Sequence, residues 1–350
     1  MTMNNEKSLI AKTDLKTLSK QELESLVRDS GLPSFRTRQL LHWIYEKRVQ
    51  SVGEITEFSK ELRDDLSKKT YISNLTLIRK QTSVDGTEKF LFGLEDNEAI
   101  ESVLISDNSR LTLCISSQVG CAMKCSFCLT GKMNLRRNLK AHEIVDQVIA
   151  VGRLIEPQRI TNIVFMGMGE PLANFDEVVE SLRRMTALLK ISKRRITLST
   201  CGIAPKIPEL GGAGIPRVNL AVSLNATTDE VRDSIMPVNR KHPLASLLSA
   251  CRHFPLEPRR RITFEYVLLE GMNDTDMDAD RLVQMLRGIP CKVNLIPFNP
   301  YKGSKFRRPT DGVLARFQNI LLDGNITALL RKSKGPDILA ACGQLKAGYC

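Results

Sequence analysis

The run Cys121-Ala-Met-Lys-Cys125-Ser-Phe-Cys128 carries three thiols at spacings of four and three residues, with no fourth cysteine close by. Thiolates this close together can hold three corners of a cubane iron–sulfur cluster and leave the fourth iron open to a small chelating ligand. An incompletely ligated iron can pass an electron to whatever fills its free position. S-adenosylmethionine, which offers an amine and a carboxylate from one end, is the ligand that this arrangement points to. Two other readings remain open for the motif alone. Structural zinc sites normally use four Cys or His ligands, often as two Cys-x-x-Cys pairs; only the second gap here is of that kind, and the nearest histidine, His142, lies in a helical pattern. A disulfide suits three crowded thiols poorly in a chain that reads as cytosolic.

The position of this run decides the fold. From Leu111 onward, strand patterns alternate with helical ones, as in parallel βα units. Strands are expected at 111–116, 160–166, 195–199, 218–223, 262–268 and 292–297. Helices fill the gaps, the clearest at 141–154, 175–189 and 275–286, and a last strand falls at 326–331. Six units are too few to close an eight-stranded barrel, so the expected fold class is α/β, an open partial (β/α)6 barrel with its site at the carboxyl ends of the strands. The three cysteines then occupy the loop after the first core strand.

Ahead of this core, Ser19 and Glu22 form a capping box before Leu23, Leu26 and Val27, and Gly31 with Pro33 ends that helix. A second helix carries Leu40, Leu41 and Ile44 and a third centres on Leu62 and Leu66, which makes residues 1–70 a small helical domain with Arg36, Arg38, Lys47 and Arg48 on a basic side. Residues 71–106 read as a short β meander with turns at Asp85-Gly86 and Asp96-Asn97, connecting the helical domain to a core at 107–350.

The N-terminus is polar, and no apolar run approaches the ~18 residues of a membrane span. A soluble, cytoplasmic protein that needs no membrane is expected. Nine cysteines without an export signal suit a reducing compartment. Lysine and arginine total 51 against 39 acidic residues, a formal charge of +12, which favours a polyanionic partner such as nucleic acid. The basic residues cluster at Lys132, Arg136 and Arg137; at 193–195; at 259–261; at Lys302, Lys305, Arg307 and Arg308; and at Arg331, Lys332 and Lys334, beside expected loops and so along one shared rim.

Other motifs fall at strand ends. The second core strand runs into Phe165-Met-Gly167-Met-Gly169-Glu170-Pro171, where glycines would let the backbone approach a ligand and Glu170 could accept hydrogen bonds from an ammonium group. Ser199, Ser223-Leu224-Asn225 and Asn299 put small polar groups at the ends of later strands, suited to a ribose or an amino acid, or to plain caps and turns. Cys114 on the first strand and Cys342 near the C-terminus read, by themselves, as small buried residues.

Taken together, Ser116-Ser-Gln-Val-Gly-Cys121 to Cys128, Gly167-Met-Gly-Glu-Pro171, Cys291-Lys-Val-Asn-Leu-Ile-Pro-Phe-Asn-Pro300 and Ala341-Cys-Gly-Gln344 resemble the RlmN/Cfr radical S-adenosylmethionine RNA methyltransferases. The resemblance covers nearly the whole chain. It implies a radical S-adenosylmethionine barrel with a [4Fe-4S] cluster on Cys121, Cys125 and Cys128, an RNA-binding role for the N-terminal domain, and methylation of adenine C2 in 23S rRNA and in tRNA next to the anticodon. C2 is electron-poor, so it cannot displace a methyl group from a sulfonium directly, whereas a thiolate can. By resemblance, Cys342 takes the methyl group first, and a radical made from a second S-adenosylmethionine then activates it for attack on C2. Cys114 afterwards releases the product through a transient disulfide with Cys342. Glu101 matches a proton acceptor of the family, with Cys114 as the other candidate base.

Gly169, Glu170, Ser199, Ser223, Leu224, Asn225 and Asn299 match the family's S-adenosylmethionine contacts. Many relatives have histidine where this chain has Asn225, which can still hydrogen-bond a ribose but does not titrate. Phe127 is a candidate to pack on the cofactor adenine or in the core. The family also contains adenine-C8 methyltransferases, and Val119 resembles the C2 members more closely. A zinc-containing RNA-binding protein is the alternative of a different class. The resemblance further implies an electron donor such as flavodoxin or ferredoxin, and a monomer. Lys334-Gly335-Pro336 marks a loop that should leave the Cys342 segment mobile.

Overall fold

The structure is a computed structural model and describes residues 12–347. A bridge between β1 (Thr13–Asp14) and β2 (Thr70–Tyr71) brackets the helices α1 (Lys20–Asp29), α2 (Phe35–Leu41) and α3 (Lys60–Lys69). Ser19 Oγ accepts from the Glu22 N–H at 3.2 Å and Glu22 returns a bond to the Ser19 N–H at 2.7 Å, the expected capping box. Gly31 adopts φ +70°, which an L side chain resists, and this stops α1. Leu23, Val27, Leu40, Ile44 and Leu66 point into a core continuous with that of the rest of the chain.

The meander forms β3 (Thr76–Thr82), β4 (Glu88–Gly93) and β5 (Ala99–Asp107). It does more than connect: β5 pairs antiparallel with β6 (Arg110–Cys114), with Val103 opposite Cys114, so the meander extends the barrel sheet. Next come a bridge between β7 (Gln118–Val119) and β8 (Arg137–Asn138), α4 (Ala141–Leu154), β9 (Asn162–Phe165) and α5 (Phe175–Ala187). The chain continues with β10 (Ile196–Thr200), α6 (Lys206–Leu210), β11 (Asn219–Ser223), α7 (Asp229–Ile235) and α8 (Leu244–Arg252). It ends with β12 (Ile262–Leu268), α9 (Asp276–Leu286), β13 (Cys291–Pro297), α10 (Asp311–Asp323) and β14 (Ala328–Leu330).

One sheet orders these strands β14-β13-β12-β11-β10-β9-β6-β5-β4-β3, parallel from β6 to β14. The expected open α/β barrel is present, with a short seventh parallel strand, β14, at its edge. Every residue of β12 is buried, as expected for a parallel strand covered on both faces. No helix among the described residues is long and apolar enough to cross a membrane.

The expected basic rim divides in two. Residues 193–195 and 259–261 precede β10 and β12 and so lie at the amino ends of the strands, while the clusters at 302–308 and 331–334 follow β13 and β14 at the carboxyl ends. Arg137 is neutralised by Asp96 and Glu143, and Arg136 by Glu98.

The helical domain docks on α4 and α5 through a buried polar cluster. Lys16 Nζ lies 2.7 Å from Asp146 Oδ1 and donates to the Ser73 carbonyl at 2.6 Å, and Arg184 donates to the carbonyls of Lys16 and Leu18. Burial pushes the Asp146 carboxyl up to about 6 even beside Lys16. Breaking one side of such a pair strands a buried charge. Lys16→Met should therefore lower stability by about 3–5 kcal/mol in a denaturant titration; a loss under about 1 kcal/mol would show that the cluster does not hold the domain.

Candidate functional site

The cysteine loop leaves β6 and folds back on itself through two glycines that nothing larger can replace. A Cβ on Gly120, at φ +78°, would lie 2.1 Å from the Asn134 carbonyl oxygen, and one on Gly131 would lie 2.6 Å from that of Cys125. Cys121, Cys125 and Cys128 all line one cavity at the carboxyl ends of β9, β10 and β11, with about 910 Å3 of empty volume, open mouth included. Burial raises all three thiols, Cys121 to about 12.

This donor set fits an iron–sulfur cluster better than a single ion. A structural zinc site takes four ligands on one ion, and among the described residues no group of three or more His, Cys, Asp or Glu side chains is gathered around one point. A cubane needs only one thiolate on each of three irons. Deprotonating the buried thiols calls for positive charge in the site, which the irons supply, and Arg232 adds more from nearby. Arg232 is fully buried and donates to the carbonyls of Leu224, Cys201 and Ser223 at 2.9, 2.7 and 3.1 Å, tying the ends of β10 and β11 together beneath the cavity. Sequence reasoning missed it; its only signal was an arginine within α7 on the face that packs inward.

Gly169, Glu170, Ser199, Ser223 and Asn225 line the same cavity, as the cofactor assignment requires of them. The Gly-rich turn does more than expected. A Cβ on Gly167 would sit 2.6 Å from the Ile115 carbonyl oxygen, and one on Gly169, at φ +98°, would sit 2.5 Å from Gln118 Cβ. These glycines admit the neighbouring strand-end loop as well as lining the cavity, and so lock the turn to the cysteine loop. Ser117 N–H then donates to the Met168 carbonyl at 2.8 Å and Gly167 N–H to that of Ile115 at 3.0 Å.

Glu170 is buried and accepts backbone N–H bonds from Leu172 at 3.0 Å and from Cys201 at 2.7 Å. Burial raises its pKa despite these bonds. A carboxylate has about four acceptor positions, and Glu170 lines the cavity, where an ammonium group would supply the missing counter-charge.

Asn225 is committed more to the protein than expected. It holds φ +58°, a conformation asparagine tolerates; its Oδ1 accepts from the Val267 N–H at 2.8 Å and its Nδ2 lies 3.1 Å from Met236 Sδ. The Leu224 side chain is fully buried in the core, and its backbone is engaged too, the N–H donating to the Glu265 carbonyl and the carbonyl accepting from Arg232. Phe127 both lines the cavity and packs against buried apolar neighbours.

A second cavity, of about 1150 Å3 with its mouth included, runs inside the barrel below the first. Asn299 and Cys114 line this one, and Cys342 lines both. The described cysteines are all free, so the disulfide implied by resemblance is not formed here. Glu101 lines neither cavity. Its Oε1 lies 3.2 Å from Lys89 Nζ and its Oε2 accepts from the Lys346 N–H at 2.8 Å, which makes it an anchor for the C-terminal segment.

That segment also departs from expectation. The loop at 334–336 is present, but the chain around Cys342 is held down along its length. Asp337 accepts from Ser83 Oγ at 2.6 Å and Gly335 N–H donates to Asp85 at 3.0 Å. Leu129 N–H donates to the Gly343 carbonyl at 2.7 Å and Thr130 Oγ1 to that of Leu345 at 2.6 Å, fastening the segment to the cysteine loop itself. Gly169→Ala should force that loop away from the turn, and iron retained after anaerobic reconstitution should fall well below wild type. Unchanged iron content would show that the glycine contact does not position the thiols.

A sequence profile of the Radical SAM superfamily matches residues 115–283, and one of the ribosomal RNA large subunit methyltransferase N-terminal domain matches residues 13–72. Among curated proteins, the "Dual-specificity RNA methyltransferase RlmN" of Pelobacter propionicus is 55% identical over 96% of this chain and 96% of its own length. That of Geobacter sulfurreducens is 54% identical over 95% and 92%. A crystal structure of a radical SAM methyltransferase from Sphaerobacter thermophilus superposes with a TM-score of 0.91 at 43% identity, covering 96% of this chain and all of the other. This chain belongs to the RlmN family and is a radical S-adenosylmethionine methyltransferase that uses a [4Fe-4S] cluster.

Proposed function

We propose that this enzyme methylates C2 of adenosine in 23S rRNA and in tRNA, by way of a methyl group carried on Cys342. The observation that carries this reading is the position of Cys342 in the shared wall of two cavities, one with the cluster thiols and Glu170, the other with Cys114. A thiol that faces both can be loaded from one side and deliver to the other.

When bound, the reduced cluster and S-adenosylmethionine supply a carbon-centred radical able to abstract hydrogen. The residues of the chain do the rest. Cys121, Cys125 and Cys128 hold the cluster. Glu170 receives the ammonium of the methionine end, and Ser199 and Ser223 offer hydroxyls along the same wall. The Cys342 sulfur accepts the methyl group and then tethers the RNA base. Cys114 lies on the strand that pairs with β5, facing the same cavity, and its thiolate attacks the Cys342 sulfur. The S–S bond forms as the S–C bond to the base's methylene breaks. The electron pair leaves with that carbon, which takes up a proton to become the methyl group, and a transient disulfide remains.

Glu101, fixed between Lys89 and Lys346, acts first by holding the Cys342 segment in place. It becomes a proton acceptor for C2 only when Lys346 moves away. Lys332 and Lys334 line the second cavity, and Lys302, Lys305 and Arg307 follow β13 at the same carboxyl end of the sheet, where phosphate contacts would add sequence-independent affinity. An electron donor of the flavodoxin or ferredoxin kind feeds the cluster.

Nucleosides from RNA incubated with the reduced enzyme should contain 2-methyladenosine, resolved by chromatography from the isobaric 8-methyladenosine. Appearance of the 8-isomer alone would overturn the C2 assignment. Cys342→Ala should abolish methylation. Cys114→Ala should accumulate RNA covalently joined to protein, seen as a denaturant-stable band that nuclease shortens; free methylated RNA at the wild-type rate from this variant would rule out its releasing role.

A further inference from the structure

Cofactor binding does not explain the polar wall of the second cavity. Both Cys114 and Cys342 face this space, so on the reading proposed above the base tethered to Cys342 must lie in it. In the same lining, Glu265 of β12 and Asn294 of β13 are register partners, which puts their side chains on the same face of the sheet. Asn294 Nδ2 donates to Glu265 Oε1 at 2.9 Å. Neither Glu265 Oε2 nor Asn294 Oδ1 has a hydrogen-bond partner among the described residues, although Glu265 is only 8% exposed. Glu265 also lines both cavities, as Cys342 does. Both residues line the second cavity and Asn294 is half-buried, so these unpaired polar atoms are available there to a ligand.

We propose that Asn294 reads the edge of the target adenine and that Glu265 is the positioning residue that fixes the orientation of the Asn294 amide. Adenine presents an amino donor beside a ring-nitrogen acceptor, and a carboxamide meets that pair with two parallel hydrogen bonds. Asn294 has both halves available: its Oδ1 is open, and Nδ2 keeps a second hydrogen after donating to Glu265. A free amide could turn over and offer the opposite pattern to guanine. Hydrogen bonding to a carboxylate requires the nitrogen to face Glu265, which holds Oδ1 toward the base. Burial raises the Glu265 carboxyl to about 7, while Lys292, two residues before Asn294 on the same strand, and Arg331 favour its charged form, the form that accepts from Asn294 Nδ2 at 2.9 Å.

The test uses the full-length reconstituted enzyme and two RNA hairpins, one with adenosine and one with purine ribonucleoside, which lacks the amino group, at the target position. Rates are normalised to the methyl group loaded on Cys342 in the same sample. The intrinsic reactivity of the two bases cancels when their rate ratio is compared between proteins. Wild type should prefer adenosine by about tenfold more than Asn294→Ala does, and Glu265→Gln should lose part of the same preference. Asn294→Ser serves if the alanine variant does not fold. An unchanged adenosine-to-purine ratio in the Asn294 variant, at whatever absolute rate, overturns the proposal. A wild-type enzyme that methylates neither hairpin instead overturns the functional reading itself, and this inference with it.

Discussion

Residues 343–346 must return to a loop formed some two hundred positions earlier, and the rest of the site depends on that closure. The hydrogen bonds from Leu129 and Thr130 to Gly343 and Leu345, with the anchor of Glu101 on Lys346, bring Cys342 to the cluster loop. Leu345 and Ala340 then bury against Val103, Cys114 and Met168, giving the strap an apolar underside. Without this return the barrel would hold a cluster and its chelating ligand but no thiol between them and a substrate.

The barrel supports this closure by bringing strand ends into unusually close contact. Gly167 and Gly169 let the turn after β9 press on the loop after β6, and Arg232 ties the ends of β10 and β11 through their carbonyls. A guanidinium with five fixed donors suits this task, because it satisfies several carbonyls from one buried position. Arg232 itself does not line the cavity, whereas Glu170 does, buried and with its pKa raised, so Glu170 is a group there that a ligand ammonium would meet.

Much of the architecture was legible because hydrophobic periodicity and caps act locally. The strand at 262–268 and the helix at 141–154 fall where pattern placed them, and Ser19 caps α1 as its spacing from Glu22 required. The three loop cysteines were legible as a candidate ligand set because metal-ligand spacing is itself local. What stayed hidden depends on contacts far apart in the chain. Nothing local shows Ile115 packed against Gly167, and Asn225 looks free until Val267 is found on its oxygen. Glu101 looks solvated on a meander strand, yet Lys89 and Lys346 enclose it. Lys334-Gly335-Pro336 reads as a flexible joint, but no local signal shows that Ser83 and Asp85 tie it down.

The central claim is that Cys342 carries the methyl group between the two cavities. It is tested most directly by supplying S-adenosylmethionine with a deuterated methyl group and mapping the label by peptide mass spectrometry before RNA is added. The account predicts a labelled thioether on Cys342 and on none of the other eight cysteines, followed by loss of that label as methylated RNA appears. Labelled RNA forming while Cys342 never carries the label would contradict it.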